Sequence, residues 1–68
     1  MREQLIKDMK KEAKGASFIT PKQLAKVLGY EDTHSAYKYL DGVQKLKSGR
    51  YFIYEVANNI EKDMNNET

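Results

Sequence analysis

Apolar positions in the first part of the chain recur at helical spacing. Leu5, Met9 and Ala13 fall four apart and Ile6 widens the stripe, so residues 2–14 read as an amphipathic helix. Gly15 ends it, and residues 17–19 read as a short extended segment. A second helix opens at Thr20 on three coincident signals. Thr20 is a capping residue, Pro21 suits the first helical position, and Gln23 stands where a capping box places its partner. Ile19 before the cap and Leu24 at the fourth helical position are spaced for a hydrophobic staple. Leu24, Val27 and Leu28 continue the stripe until Gly29 stops it.

After a polar turn, Ala36 and Leu40 mark the buried face of a third helix, which ends near Gly42. Two short helices joined by a brief Gly-containing turn form the helix-turn-helix pattern. The period then changes. Leu46 and the run Tyr51, Phe52, Ile53, Tyr54 have strand character, with Lys47, Ser48, Gly49 and Arg50 as the turn of a hairpin over residues 43–54. Alternation puts Tyr51 and Ile53 on one side and Phe52 and Tyr54 on the other, and Gly49 supplies a positive φ. A last helix begins near Glu55 and returns Val56, Ala57, Ile60 and Met64 to the core. Residues 65–68 lack apolar anchors and are expected to fray. No repeat or linker divides the chain, so residues 1–68 read as one domain.

Composition narrows the classes. At 68 residues the chain is near the lower size at which a core folds without disulfides or metal. Cysteine is absent and His34 is the one histidine, which excludes a thiolate zinc site or a histidine-rich metal cluster. No cofactor is expected. Without paired acid–base groups, a phosphate loop or a nucleophile beside His34, no enzyme is expected either. Neither a membrane-length apolar run nor a signal-peptide core occurs, so a cytoplasmic protein with no membrane partner is the expectation.

The net charge of +2 conceals an uneven layout. Residues 43–54 carry Lys45, Lys47 and Arg50 and no acid, while residues 55–68 carry one lysine against four acids. The first 54 residues therefore hold +5, masked by an acidic end. Such sorting favours an anionic partner for one face, although a solvated surface can look similar.

On a wheel of about 100° per residue, Ala36 and Leu40 lie within about 40° of each other, with Thr33 beside them. His34, Lys38 and Asp41 occupy the opposite side, Ser35 its margin, and Tyr37 and Tyr39 the flanks. A recognition helix needs this arrangement, an apolar seam for anchoring and short polar or basic side chains for base edges. Lys38 suits guanine or phosphate, and His34 and Ser35 can donate near the helix start, whereas Asp41 repels phosphate unless it accepts from cytosine. The plainer role of each is a polar surface residue, or for the tyrosines a boundary residue packing its ring. Lys45, Lys47, Ser48 and Arg50 form a basic hairpin suited to backbone or minor-groove contact, or simply to a solvated turn.

The segments FITPKQLAKVLGYEDTHSAYKYL and GRYFIYEV resemble the winged helix-turn-helix of excisionase and MerR-type DNA-binding domains. The resemblance covers residues 18–56 and rests on Thr20, Leu24, Ala25, Leu28, Gly29, Thr33, Tyr37, Lys38, Gly49, Arg50, Tyr51 and Ile53. Two departures are the missing proline in Gly42-Val43-Gln44-Lys45 and the added helix at residues 2–14. The resemblance implies a mostly helical α+β fold with a short two-stranded wing between flanking helices. It also implies a double-stranded DNA-binding accessory protein of a phage or mobile element, directing recombination toward excision. The implied partners are DNA, an integrase or recombinase, and further copies of the chain on DNA. The DNA-binding residues are then His34, Ser35, Tyr37, Lys38, Lys45, Lys47, Ser48 and Arg50. A stand-alone transcriptional regulator is the alternative, and a protein-interaction module without DNA binding is the alternative of another class.

Overall fold

A computed structural model describes residues 2–65. The fold is α+β and mostly helical. Its elements are α1 (Arg2–Glu12), β1 (Phe18–Ile19), α2 (Pro21–Leu28), a 3-10 helix (Thr33–Tyr39), β2 (Tyr51–Phe52) and α3 (Ile53–Asn65). Met9, Ile19, Leu24, Ile53 and Val56 are fully buried at its centre. Each such side chain contributes about 1.5–3 kcal/mol by leaving water. One core therefore joins α1, α2, α3 and the sheet, with Ala36, Tyr39 and Leu40 joining it from the 3-10 segment.

The expected stripe faces the core, with Met9 fully buried, Ala13 just past the end of α1 still 9% exposed, and Leu5 and Ile6 buried in part. The end of α1 differs in detail from a plain glycine stop. The Gly15 N–H donates to Lys10 O (2.7 Å) and the Lys14 N–H to Lys11 O (3.2 Å), a Schellman arrangement that puts Lys14 itself in the left-handed region at φ 59°. α2 starts as the sequence indicates. The Gln23 N–H donates to Thr20 Oγ1 (3.1 Å), and Gln23 Oε1 accepts from the Thr20 N–H (3.0 Å). It closes on Gly29 at φ 80°, whose following N–H, on Tyr30, reaches Ala25 O at 2.9 Å.

The third helix winds as a 3-10 helix. Thr33, His34, Ser35 and the two tyrosines are middling helix formers, so propensity does little to hold an α-helical turn. At three residues per turn, Thr33, Ala36 and Tyr39 align on one side. Ala36 and Tyr39 are buried there, and Tyr37 is left exposed. Tyr39 is thus a core residue, where 3.6-residue winding puts it on a flank. Asp32 caps the segment by accepting from the Ser35 N–H (2.8 Å). At its other end the Asn59 side-chain amide donates to Tyr39 O (2.9 Å) and Asp41 O (3.2 Å).

The ribbon also departs from expectation. β2 pairs antiparallel with β1, Phe18 opposite Phe52 and Ile19 opposite Tyr51. The first arm of the 43–54 hairpin contributes one bridge, Lys45 to Tyr51. Gln44 O still accepts from the Phe52 N–H (3.1 Å), but the Gln44 N–H turns to Glu55 Oε1 (2.9 Å). The turn itself forms, with Gly49 at φ 86° and its N–H donating to Leu46 O (2.9 Å). α3 begins at Ile53 rather than near Glu55. Ile53, Val56, Ala57 and Ile60 are all buried at helical spacing, so the 3.6-residue stripe overrides the alternation read in Tyr51–Tyr54.

Met64 stays 40% exposed instead of returning to the core. Arg2 and Leu5 of α1 border the open hollow in which Met64 lies. Asn65, expected to fray, closes α3, and the rest of that expectation, residues 66–68, lies outside the described residues. No helix among the described residues is long and apolar enough to cross a membrane.

Candidate nucleic-acid interface

Two groups of exposed polar side chains correspond to the site residues read from the sequence. The first rides on the 3-10 helix. Because residues three apart eclipse, His34 stands in line with Tyr37 and Ser35 with Lys38. The His34 and Tyr37 rings meet edge to face, with centroids 5.8 Å apart. All four residues are exposed, while Ala36, Tyr39 and Leu40 anchor the segment from the opposite side.

Lys38 is not free of partners. Its Nζ lies 3.8 Å from Asp63 Oδ2 on α3 and 4.9 Å from the centroid of the Tyr39 ring. The same carboxylate oxygen accepts from the Tyr39 hydroxyl at 2.8 Å. Burial foremost, then the hydrogen bond to Asp63, pushes the Tyr39 hydroxyl well above the ordinary tyrosine range, so it stays protonated. Around this contact Lys38, Tyr39, Asp41, Asn59, Lys62 and Asp63 line an open depression of about 320 Å³. Two cations and two carboxylates there balance, so it is not an anion pocket by charge.

The second group lies on the turn after the Lys45 bridge. Lys45 Nζ stands 5.9 Å from the Tyr51 ring centroid. Lys47, Ser48 and Arg50 are exposed, and none of their side chains has a partner among the described residues. Arg50 contributes only its carbonyl, which accepts from the Leu46 N–H at 2.8 Å. No hydrogen bond, ion pair or ring contact among the described residues joins this group to the 3-10 group.

Sequence reasoning missed Asp63 and Asn59, which hold the 3-10 helix from α3. Tyr39 and Asp63 lie 24 positions apart, beyond the reach of any local pattern. A weak signal existed for Asn59, a polar residue beside the Ile60 stripe. Compared with protein-family models, curated proteins and solved structures, the chain finds no match.

Proposed function

We propose that this chain is a winged helix-turn-helix domain that binds double-stranded DNA. In this reading the 3-10 segment Thr33–Tyr39 serves as the recognition element in the major groove, and the turn at residues 45–50 as the wing on backbone or minor groove. One observation carries the reading. His34, Ser35, Tyr37 and Lys38 all face solvent on a segment anchored by Ala36, Tyr39 and Leu40, followed by a turn whose Lys47 and Arg50 side chains have no partner among the described residues. Anchored helix and free cations are the two parts a groove reader needs, base-edge contacts for discrimination and phosphate contacts for affinity. The biological role that fits is an excisionase-like accessory factor of a phage or mobile element, working with an integrase or with further copies of itself.

The test is duplex binding against salt. With a few phosphate contacts, affinity for mixed-sequence duplex DNA drops roughly tenfold or more between about 50 and 200 mM salt. Absence of duplex binding at low salt, or a flat salt response, replaces this reading with a protein-interaction module.

A further inference from the structure

The outer face of the small sheet carries an aromatic cluster that the duplex-binding reading does not use. Ile19 and Tyr51 point to the core, Ile19 fully buried and Tyr51 packed against it. The pleat therefore turns their neighbours Phe18 and Phe52 outward. These two rings face each other across the strands with centroids 5.3 Å apart, and Tyr54 lies 5.3 Å from Phe52. All three rings are half-buried, and none belongs to the core cluster or packs against it. A row of three rings that support one another rather than the core is a surface feature.

Its surroundings are basic. Lys10 Nζ stands 5.2 Å from the Tyr54 ring centroid, and Lys7 lies about 60° from Lys10 around α1. Arg50, two residues before Phe52, is exposed, and its guanidinium has no partner among the described residues. Of the nearby acids, Glu12 is paired with a cation, while Asp8 and Glu55 accept from neutral amides and keep their charge. Glu12 lies on the far flank of α1, 3.7 Å from Lys26, and Asp8 accepts from Gln4 at 2.9 Å. Glu55 accepts from the Gln44 N–H, and Glu3 is two turns from Lys10 toward the start of α1.

We infer that this face binds single-stranded DNA, with two or three unpaired bases stacking on Phe18, Phe52 and Tyr54 and the adjoining phosphates held by Lys10 and Arg50. The partly exposed rings offer π-faces, and flanking cations offer what a polyanion needs, whereas an apolar protein segment has no use for the cations. Phenylalanine reads no base edge, so binding is tolerant of sequence. This surface does not depend on the duplex reading, since stacking requires bases that are already unpaired.

Fluorescence anisotropy with a labelled oligothymidylate of about ten nucleotides tests it, a length within the span of known single-strand sites. Phe18→Leu and Phe52→Leu keep apolar bulk and remove the ring. Each is expected to weaken oligothymidylate binding roughly fivefold to a hundredfold, the range for removal of one base stack. Lys10→Gln leaves the rings in place and is expected to flatten the salt slope by about 0.7, so the test survives a leucine variant that folds poorly. Duplex affinity is expected to be unchanged in Phe18→Leu. The proposal is overturned if the wild type fails to bind oligothymidylate at low salt, or if folded ring variants and Lys10→Gln all bind it as the wild type does. Oligouridylate binding tenfold tighter than oligothymidylate overturns the assignment to DNA. Oligothymidylate binding without duplex binding upholds this inference while the duplex reading falls.

Discussion

The Tyr39 hydroxyl donates to Asp63 Oδ2 at 2.8 Å, tying the 3-10 helix to the last turns of α3 across 24 residues of sequence. This bond and the Asn59 amide on Tyr39 O fix the 3-10 segment at its C-terminal end, while Asp32 fixes its start. The segment is therefore held by side chains at both ends rather than by helical propensity.

Tyr39→Phe is expected to cost about 1–2 kcal/mol, since it removes a part-buried hydroxyl bonded to a carboxylate. In a domain of this size that lowers Tm by roughly 4–8 °C per kcal/mol. The sign with pH follows from the raised pKa. Folding favours the protonated phenol, so this stabilisation is complete below the ordinary value of 10.0 and declines as pH rises above it. Urea midpoints at pH 7 and above pH 10 are expected to show the gap between wild type and Tyr39→Phe shrinking at the higher pH. A constant gap counts against the hydrogen bond.

Lys14 offers a gain in stability. It holds φ 59° at the end of α1, a region that costs a residue with a Cβ about 1 kcal/mol and costs glycine little. Lys14→Gly is expected to raise stability by about 0.5–1 kcal/mol in a thermal melt, against the usual direction for a glycine substitution. Lower stability in the variant means that Lys14 does not sit in the left-handed region in solution.

Asp63 restrains the cation that duplex binding would recruit. Lys38 lies 3.8 Å from Asp63 with both side chains substantially exposed, so the pair itself is worth less than about 1 kcal/mol. Asp63→Asn keeps an acceptor for Tyr39 and removes the charge. Under the proposed function it is expected to tighten duplex binding several-fold at low salt, with the gain fading as salt rises. Unchanged or weaker binding at every salt concentration places Lys38 away from the phosphates.

Local signals in the sequence carried most of the fold. The Thr20–Gln23 capping box, the Gly29 stop, the Leu5–Met9–Ala13 stripe and the Gly49 turn each depend on residues close together in the chain, and each is present. Where two periods compete, the short run misleads. Tyr51–Tyr54 alternates like a strand, yet Ile53 also starts the stripe continued by Val56 and Ile60, and the longer pattern buries more. Winding is similarly hidden, because Thr33–Tyr39 fits both 3.6 and 3.0 residues per turn until Tyr39 is seen buried. The exposure of His34, Ser35 and Lys38 was legible from the Ala36–Leu40 seam. Asp63 as partner of Lys38 was not, since an ion pair between distant segments leaves no periodicity behind.

Division of labour between the two exposed groups gives the last prediction. Ser35 and Lys38 stand on an anchored segment whose backbone is capped, so a base contact made there is held in fixed geometry. Lys47 and Arg50 stand on a turn with no partner for either side chain among the described residues. Long uncommitted cations suit phosphates, which carry affinity without sequence. Ser35→Ala or Lys38→Ala is therefore expected to narrow the gap between specific and random duplexes by about 1–3 kcal/mol. Lys47→Ala or Arg50→Ala is expected to weaken both duplexes alike and lower the salt slope by about one for each phosphate no longer neutralised. Titrations of both duplexes at several salt concentrations separate the two patterns. Loss of specificity in the turn variants alone inverts the roles. No change in either set moves the duplex surface elsewhere, with the lysine-bearing face of α1 the next to substitute.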